Sequence, residues 1–124
     1  MYDGPEQKEK FLPRFAEGAI SAFALTEPGV GSDPANMSTT AEKSEDGSHW
    51  IINGEKLWCT NGVVADLIIV MAKTGEKQVG SRTINKISAF VVETNTPGFE
   101  IIHRCRFMGL KAIENGLLRF KDVK

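Results

Sequence analysis

The feature that most constrains the fold is a series of Asx-Gly pairs set between apolar and aromatic segments. The stretch "SHWIINGEKLWCTNG" contains Asn53-Gly54 and ends on Asn61-Gly62, and Asp46-Gly47 stands just before it. Such pairs favour tight turns, because both central residues of a type I′ turn have positive φ. We therefore expect a β-hairpin that turns at Asn53-Gly54, with a further turn on either side.

Segments rich in Ile, Val and Phe follow these turns and predict more strands. The polar, Gly-containing stretch from Thr74 to Lys86 between two of them predicts a mobile surface loop. Many short strands separated by turn residues are typical of an antiparallel β-barrel or sandwich, so the predicted fold class is mainly β. The first predicted strand is the segment from Ser21 onward. Two longer ones, "ADLIIVMAK" and "KISAFVVET", are expected to be buried, and two shorter ones are "FEIIHR" and "LLRFKD".

The N-terminal stretch "GPEQKEKFLPRFAEG" predicts a short helical segment. Charged residues fill its first turns, Pro13 can open a second short helix, and Gly18 is a plausible C-terminal stop. Its apolar residues Phe11, Leu12 and Phe15 form half of an amphipathic stripe. Two interpretations stay open, because such a helix can dock on the β domain or belong to a larger helical neighbour.

Composition excludes several classes of function. The chain has 124 residues and a net charge of -1, with no basic stripe of the kind that nucleic-acid binding needs. Its longest apolar run, Leu67 to Ala72, is far too short to span a bilayer. Cys59 and Cys105 are too few for a disulfide framework and are expected to be buried free thiols. His49 and His103 lack partners at metal-ligand spacing, so we expect no metal site.

The stretch "ALTEPGVGSDPAN" raises the question of a phosphate-binding loop. It is neither a P-loop nor a Rossmann fingerprint, since no Gly-Lys-Ser/Thr follows and Pro34 replaces the third glycine. Consecutive N–H groups from Val30 to Asp33, with the Ser32 hydroxyl, can form an anion-binding nest. From these residues alone, the favoured alternative is a plain turn, which Glu27 and Asp33 flank in N-capping or turn-bracing roles.

The stretch "LWCTNG" suggests a face for a planar ligand. On a strand, Trp58 and Thr60 point to one side while Leu57 and Cys59 point to the other, where they suit a core. An indole ring beside a hydroxyl can stack on a heteroaromatic ring and hydrogen-bond to it. The alternative is a surface Trp–Thr pair that covers the mouth of the barrel.

Four segments together resemble the middle domain of the acyl-CoA dehydrogenases: "FALTEPGVGSD", "WIINGEKLWCTNG", "KISAFVVETNTPGFEI" and "FMGLKAIENGLLRFKDVK". They occur in the family's order and spacing and cover nearly the whole chain. The resemblance implies an antiparallel β-barrel over residues 21–124, preceded at residues 1–20 by the end of the family's N-terminal helical domain. It also implies FAD as cofactor and dehydrogenation of acyl-CoA to trans-2-enoyl-CoA.

The resemblance assigns roles to the two motifs. Phe23, Leu25 and Thr26 match positions that line the flavin, and Thr26 hydrogen-bonds its polar ring. Trp58 matches the residue that shields the flavin, and Thr60 matches the hydroxyl on the hydride-accepting ring nitrogen.

The glycine stretch receives a matching role. The resemblance places Gly31 and Ser32 at the FAD pyrophosphate, and Ser32 also against the CoA substrate. On this interpretation the glycine stretch is the cofactor loop.

No catalytic residue is expected within this chain. The family's catalytic carboxylate lies in its C-terminal helical domain, which would begin near Lys124, so we expect a domain of a larger enzyme that is inactive alone. Expected partners are an acyl-CoA, an electron-transfer flavoprotein and further copies of the full-length chain. The implied compartment is the cytoplasm of a bacterium or the mitochondrial matrix. The alternatives are an acyl-CoA oxidase or related flavoenzyme and, in another class, a non-enzymatic β-barrel interaction module.

Overall fold

The fold is mainly β, as predicted, with one N-terminal helix. The computed structural model describes residues 4–124, so the first three residues of the predicted segment 1–20 lie outside it. Along the chain the elements are the helix α1 (Pro5–Ala16), β1 (Ser21–Ala24), a 3-10 turn (Pro34–Asn36), β2 (Thr40–Lys43), β3 (Trp50–Thr60), β4 (Leu67–Val79), β5 (Arg82–Glu93), β6 (Phe99–Arg104) and β7 (Asn115–Val123).

The strands form one curled sheet in the order β1-β4-β2-β3-β7-β6, and β5 pairs with β4 outside this path. Most pairs are antiparallel, but β1–β4 and β2–β4 are parallel, which corrects the purely antiparallel prediction. The edge of β4 opposite β5 is shared by β1 near Leu67 and by β2 at Lys73. Neither strand reaches β4 through a hairpin, so no turn signal in the sequence fixes their direction.

The predicted hairpin turn at Asn53-Gly54 is wrong, because both residues lie inside the continuous strand β3. The residues on either side pair with different neighbours, β2 up to Asn53 and β7 from Ile52 onward, instead of with each other. The pairing with β7 shifts between Ile52 and Gly54, so the pair marks a bulge. Gly54 has φ 148°, and a Cβ there would lie 2.5 Å from Thr39 Oγ1. The turns at Asp46-Gly47 and Asn61-Gly62 are confirmed.

The predicted loop from Thr74 to Lys86 is also wrong, because β4 and β5 continue through it as a long hairpin. Pairing extends to Val79 and Arg82, which leaves only Gly80-Ser81 as the turn. A two-residue Gly-Ser connection is a known hairpin signal, but the polar composition of this stretch obscured it.

The core lies inside the curled sheet and is built from small and branched side chains. β4 supplies much of it, whereas β5 buries only Val92 and leaves Val91 44% exposed, so the expectation that both segments are buried is wrong for β5. The core cluster comprises Ala22, Ala24, Ala41, Ile52, Cys59, Ala65, Ile68, Val70, Ala72, Val92, Leu118, Phe120 and Val123.

Helix α1 lies on the surface and buries none of its residues. It is one continuous helix through Pro13, which corrects the prediction of a second helix. Its end at Gly18 is confirmed: Ala19 N–H donates to the Arg14 carbonyl at 2.9 Å, as in a Schellman motif. Arg14 also pairs with Glu93 of β5, which attaches the helix to the sheet. Among residues 4–124, no helix is long and apolar enough to cross a membrane.

Candidate functional site

The two segments singled out in the sequence lie side by side. The chain leaving β1 runs along the end of β3, where Leu57 N–H donates to the Thr26 carbonyl at 2.8 Å and Lys56 Nζ donates to the Leu25 carbonyl at 3.0 Å. Phe23, at the end of β1, is 54% exposed. The fold therefore brings the predicted flavin contacts of residues 23–26 next to the end of β3, which carries the other two, Trp58 and Thr60.

Trp58 projects from a strained bulge in β3. The pairing with β7 shifts between Lys56 and Cys59, and Trp58 takes φ 57°. A bulky residue in this region costs on the order of 1–3 kcal/mol and often marks a functional site. The indole is 53% exposed, and its ring centroid lies 5.6 Å from that of Phe107. In a regular strand, Trp58 would face the same side as Lys56, two residues earlier, which is fully buried. The bulge instead turns Trp58 outward.

The predicted exposure of this strand end is confirmed in its main part. Trp58 and Thr60 are exposed, while Cys59 is 1% exposed and faces the core. Leu57, predicted to share the core with Cys59, is only half-buried because the bulge interrupts the alternation. Cys59 and Cys105 are buried free thiols, as predicted. Burial raises the pKa of the Cys59 thiol to about 11, so this thiol stays protonated at neutral pH.

Thr60 has a partner that the sequence did not indicate. Asn115, at the start of β7, is paired with Thr60 and donates from Nδ2 to Thr60 Oγ1 at 3.3 Å. Because the hydroxyl oxygen accepts this bond, its hydrogen remains available to donate away from Asn115. Asn115 is itself 6% exposed, so the fold behind Thr60 holds the hydroxyl in place.

The glycine loop, residues 27–36, begins with a tight turn. Glu27 and Val30 exchange two backbone hydrogen bonds of 3.0 and 3.1 Å. The Val30 N–H is therefore not free to bind an anion. The predicted nest of four N–H groups, Val30 to Asp33, is reduced to the three from Gly31 to Asp33. Within residues 4–124, the N–H groups of these three residues donate to no other group, and the Ser32 hydroxyl makes no hydrogen bond.

The fold itself does not require glycine in this loop. Gly29 and Gly31 both lack a positive φ, and a Cβ at either position would meet nothing within 4 Å. Position 54 differs, because only glycine readily adopts its φ and because a Cβ there would collide with Thr39. Small residues in an open loop allow another molecule to approach the backbone closely.

A buried ion pair connects the glycine loop to β3. Lys56 Nζ lies 2.9 Å from Glu27 Oε1, and the two side chains are 0% and 3% exposed. Glu27 also accepts hydrogen bonds from the backbone N–H groups of Ser38, at 2.6 Å, and Thr39, at 2.9 Å. The predicted bracing role of Glu27 is confirmed, whereas Lys56 was missed because nothing in the sequence links it to a residue 29 positions earlier.

The ionisation of the pair follows from its surroundings. Burial raises the pKa of the Glu27 carboxyl, but hydrogen bonds from Thr39, Lys56 and Ser38 outweigh burial and hold the pKa below its usual value. Burial lowers the pKa of the Lys56 ammonium, and the hydrogen bond and charge of Glu27 offset part of that shift. The carboxylate therefore stays ionised at neutral pH, and the loop is arranged around it.

Two other carboxylates, those of Glu55 and Glu114, form ion pairs on the surface. Glu55 pairs with Arg119 at 2.9 Å, and Glu114 pairs with Arg104 at 2.5 Å. Within the described part of the chain, no three His, Cys, Asp or Glu side chains are grouped so that they could hold a metal ion.

Comparison with known proteins identifies the family. A family model described as acyl-CoA dehydrogenase, middle domain, matches residues 22–123. The chain belongs to this family and carries its middle domain. A probable acyl-CoA dehydrogenase, FadE10 of Mycobacterium tuberculosis, is 56% identical over 119 residues, which are 96% of this chain and 18% of that protein.

Solved structures agree with this assignment. An acyl-CoA dehydrogenase from Geobacillus kaustophilus superposes with a TM-score of 0.86 at 46% identity, over 99% of this chain and 32% of its own. A glutaryl-CoA dehydrogenase from Mycobacterium smegmatis, solved in complex with FADH2, superposes with a TM-score of 0.81 at 42% identity, over 98% of this chain and 29% of its own. The chain thus spans less than a third of the length of each of these relatives. These likenesses favour neither the oxidase nor the interaction module.

Proposed function

We propose that this chain supplies one wall of an FAD and acyl-CoA thioester site in a full-length acyl-CoA dehydrogenase. The reaction is α,β-dehydrogenation of an acyl-CoA to its trans-2-enoyl-CoA. The observation that carries the proposal is Trp58, strained and half-exposed at a bulge, beside the segment that ends at Thr26. In this proposal residues 21–124 form the binding domain, and the segment up to residue 20 belongs to the helical domain before it.

The glycine loop fits the pyrophosphate of FAD. The N–H groups of Gly31, Ser32 and Asp33 have no partner within residues 4–124, and the open space at Gly31 admits a phosphate oxygen next to the backbone. Successive backbone N–H donors in a turn form an anion-binding concavity. Ser32 adds a hydroxyl donor and is the residue that we place against the CoA moiety as well.

The strand ends fit the flavin ring. The exposed indole of Trp58 offers a flat surface that shields one side of a planar heterocycle. Phe23, Leu25 and Thr26 line the neighbouring edge, where Thr26 can hydrogen-bond the polar part of the ring. Thr60 donates its hydroxyl hydrogen to the ring nitrogen, because Asn115 already occupies the hydroxyl oxygen.

When bound, FAD supplies the acceptor for the hydride that leaves the β-carbon of the acyl-CoA. This chain's own residues orient the acceptor and exclude water from one side of it. Thr60 is fixed by a buried neighbour on a rigid sheet, so its donor is already aligned when charge moves in the reaction.

We place the catalytic base outside residues 1–124. Abstraction of the α-proton needs a carboxylate within hydrogen-bond reach of the substrate. Glu27 is buried against Lys56, and Glu55 and Glu114 are engaged by surface arginines. None of these three is free to act as the base, and Asp33 lies in the turn that we assign to the pyrophosphate, so we expect residues 1–124 alone not to turn over acyl-CoA. In the full-length enzyme we propose that electrons pass on to an electron-transfer flavoprotein and that the enzyme is a homo-oligomer.

The test is anaerobic titration of the full-length, FAD-loaded protein with acyl-CoAs of increasing chain length. We expect at least one acyl-CoA to bleach the flavin absorbance and to yield the trans-2-enoyl product. A protein that binds no FAD, or whose flavin no acyl-CoA reduces, would contradict the proposal. Reoxidation by an electron-transfer flavoprotein separates a dehydrogenase from an oxidase, which would instead consume oxygen rapidly.

A further inference from the structure

The buried pair of Glu27 and Lys56 joins the two segments to which the proposed function assigns FAD. Glu27 directly follows Thr26, and Lys56 stands two residues before Trp58. Their side chains meet at 2.9 Å with 3% and 0% exposure. A charged pair buried this deeply is unusual, because removing both groups from water costs several kcal/mol per ion before their attraction is counted.

All three N–H donors of the Lys56 ammonium have a partner. They reach Glu27 Oε1 at 2.9 Å, the Leu25 carbonyl at 3.0 Å and Met37 Sδ at 3.9 Å. Met37 is 2% exposed, so this contact lies inside the protein. One side chain of β3 therefore binds the chain on both sides of the turn, at Leu25 and at Met37.

The Glu27 carboxylate closes the loop from the other side. Its Oε2 accepts the Ser38 N–H at 2.6 Å, and its Oε1 accepts the Thr39 N–H at 2.9 Å. Thr39 is fully buried, and its carbonyl accepts the Lys73 N–H of β4 at 2.8 Å. The carboxylate thus fixes the start of the loop to its end, and the end is fixed to the sheet.

Between these anchored ends, the residues from Gly31 to Asp33 make no hydrogen bond through their N–H groups within the described part of the chain. Their position relative to Trp58 and Thr60 therefore depends on the anchors. We propose that Glu27 and Lys56 are positioning residues that set the distance between the phosphate-binding turn and the flavin-facing end of β3. This inference rests on the proposed function and adds to it the residues that align the two halves of the FAD site.

The test separates positioning from stability in the full-length protein. Lys56→Met alone leaves a buried carboxylate without its counter-ion and should destabilise the fold. The double variant Glu27→Gln/Lys56→Met buries no charge, so it should recover much of the stability. It should not recover FAD binding, because the bonds from Lys56 to Leu25 and Met37 are then lost and the Leu57–Thr26 backbone bond is left to link this segment to β3. We expect the double variant to bind FAD at least about tenfold more weakly than wild type, the loss equivalent to about one hydrogen bond between the cofactor and the displaced turn.

Binding is measured by fluorescence titration of apoprotein with FAD, well below the unfolding midpoint of each variant, with far-UV circular dichroism as the check on folding. Glu55→Gln is the matched control, since Glu55 neighbours Lys56 on β3 but forms an exposed ion pair with Arg119. This control should bind FAD as wild type does. The flavin absorption spectrum gives a second readout, and we expect the double variant to shift its visible band.

Each outcome has one meaning. A folded double variant that binds FAD within a factor of about two of wild type, and with an unchanged spectrum, overturns the positioning role. If the double variant does not fold, Glu27→Asp is read by the same criteria, because its shorter side chain keeps the charge but cannot span all three partners. A wild-type protein that binds no FAD overturns the proposed function itself.

Discussion

Two regions of this molecule are built in opposite ways. The candidate cofactor region, residues 25–39 and 56–60, holds a buried ion pair, a strained Trp58 and three N–H groups with no partner in the described chain. The hairpin arm, residues 74–86, is an exposed ladder with one register shift at Gly75. The two strands of the arm pair with each other along their length, and the arm buries no charged side chain. The candidate cofactor region leaves the donors of its turn open and buries a charged pair at a cost in stability, as expected where a ligand completes the structure.

The largest effect that sharpens this comparison concerns two bulge glycines. Gly54 and Gly75 have similar φ values, 148° and 140°, but a Cβ at Gly54 would lie 2.7 Å from the Thr39 Cα, whereas one at Gly75 would meet nothing within 4 Å. The backbone strain of an alanine is therefore similar at both sites. Gly54→Ala should lower the free energy of unfolding by about 2–3 kcal/mol more than Gly75→Ala, through overpacking. Urea denaturation measures both, and equal losses would contradict the close packing behind the loop.

Next in size is the effect of filling the open loop. Gly31→Val should leave the unfolding midpoint of the apoprotein unchanged, since its Cβ meets no neighbour. It should nevertheless weaken FAD binding more than Ser32→Ala, because a side chain blocks the approach to the backbone, whereas one lost hydroxyl costs about 1–2 kcal/mol. Flavin titration of both variants decides. Equal or reversed losses would argue against phosphate binding at this turn.

A smaller effect is expected behind Thr60. Asn115→Asp replaces a donor with an acceptor, so the Thr60 hydroxyl hydrogen turns toward residue 115 and away from the flavin site. The rate of flavin reduction by acyl-CoA should fall by a factor equivalent to about 1 kcal/mol, the usual worth of one hydrogen bond. Stopped-flow absorbance measures this rate. Thr60→Val should lower it similarly, and the double variant should show no further loss, whereas additive losses would place Asn115 outside this interaction.

Local sequence signals predicted most of the strands, the end of α1 at Gly18 and the exposure of Trp58 and Thr60. They failed where a distant partner decides the structure. Asn53-Gly54 has the composition of a hairpin turn, yet β2 and β7 pair with opposite ends of the strand around it. The Lys56–Glu27 and Asn115–Thr60 contacts join residues 29 and 55 positions apart, so no spacing rule reveals them. The family resemblance singled out the candidate cofactor motifs, but not the groups that hold them.

The most direct test is hydrogen–deuterium exchange of the full-length protein with and without FAD. We expect FAD to slow exchange in peptides that contain Gly31 to Asp33, whose N–H groups have no partner in the described chain. Peptides of the hairpin arm, residues 74–86, should exchange at the same rate in both states. Unchanged exchange from Gly31 to Asp33 in a protein that does bind FAD would contradict the central claim that this loop receives the cofactor.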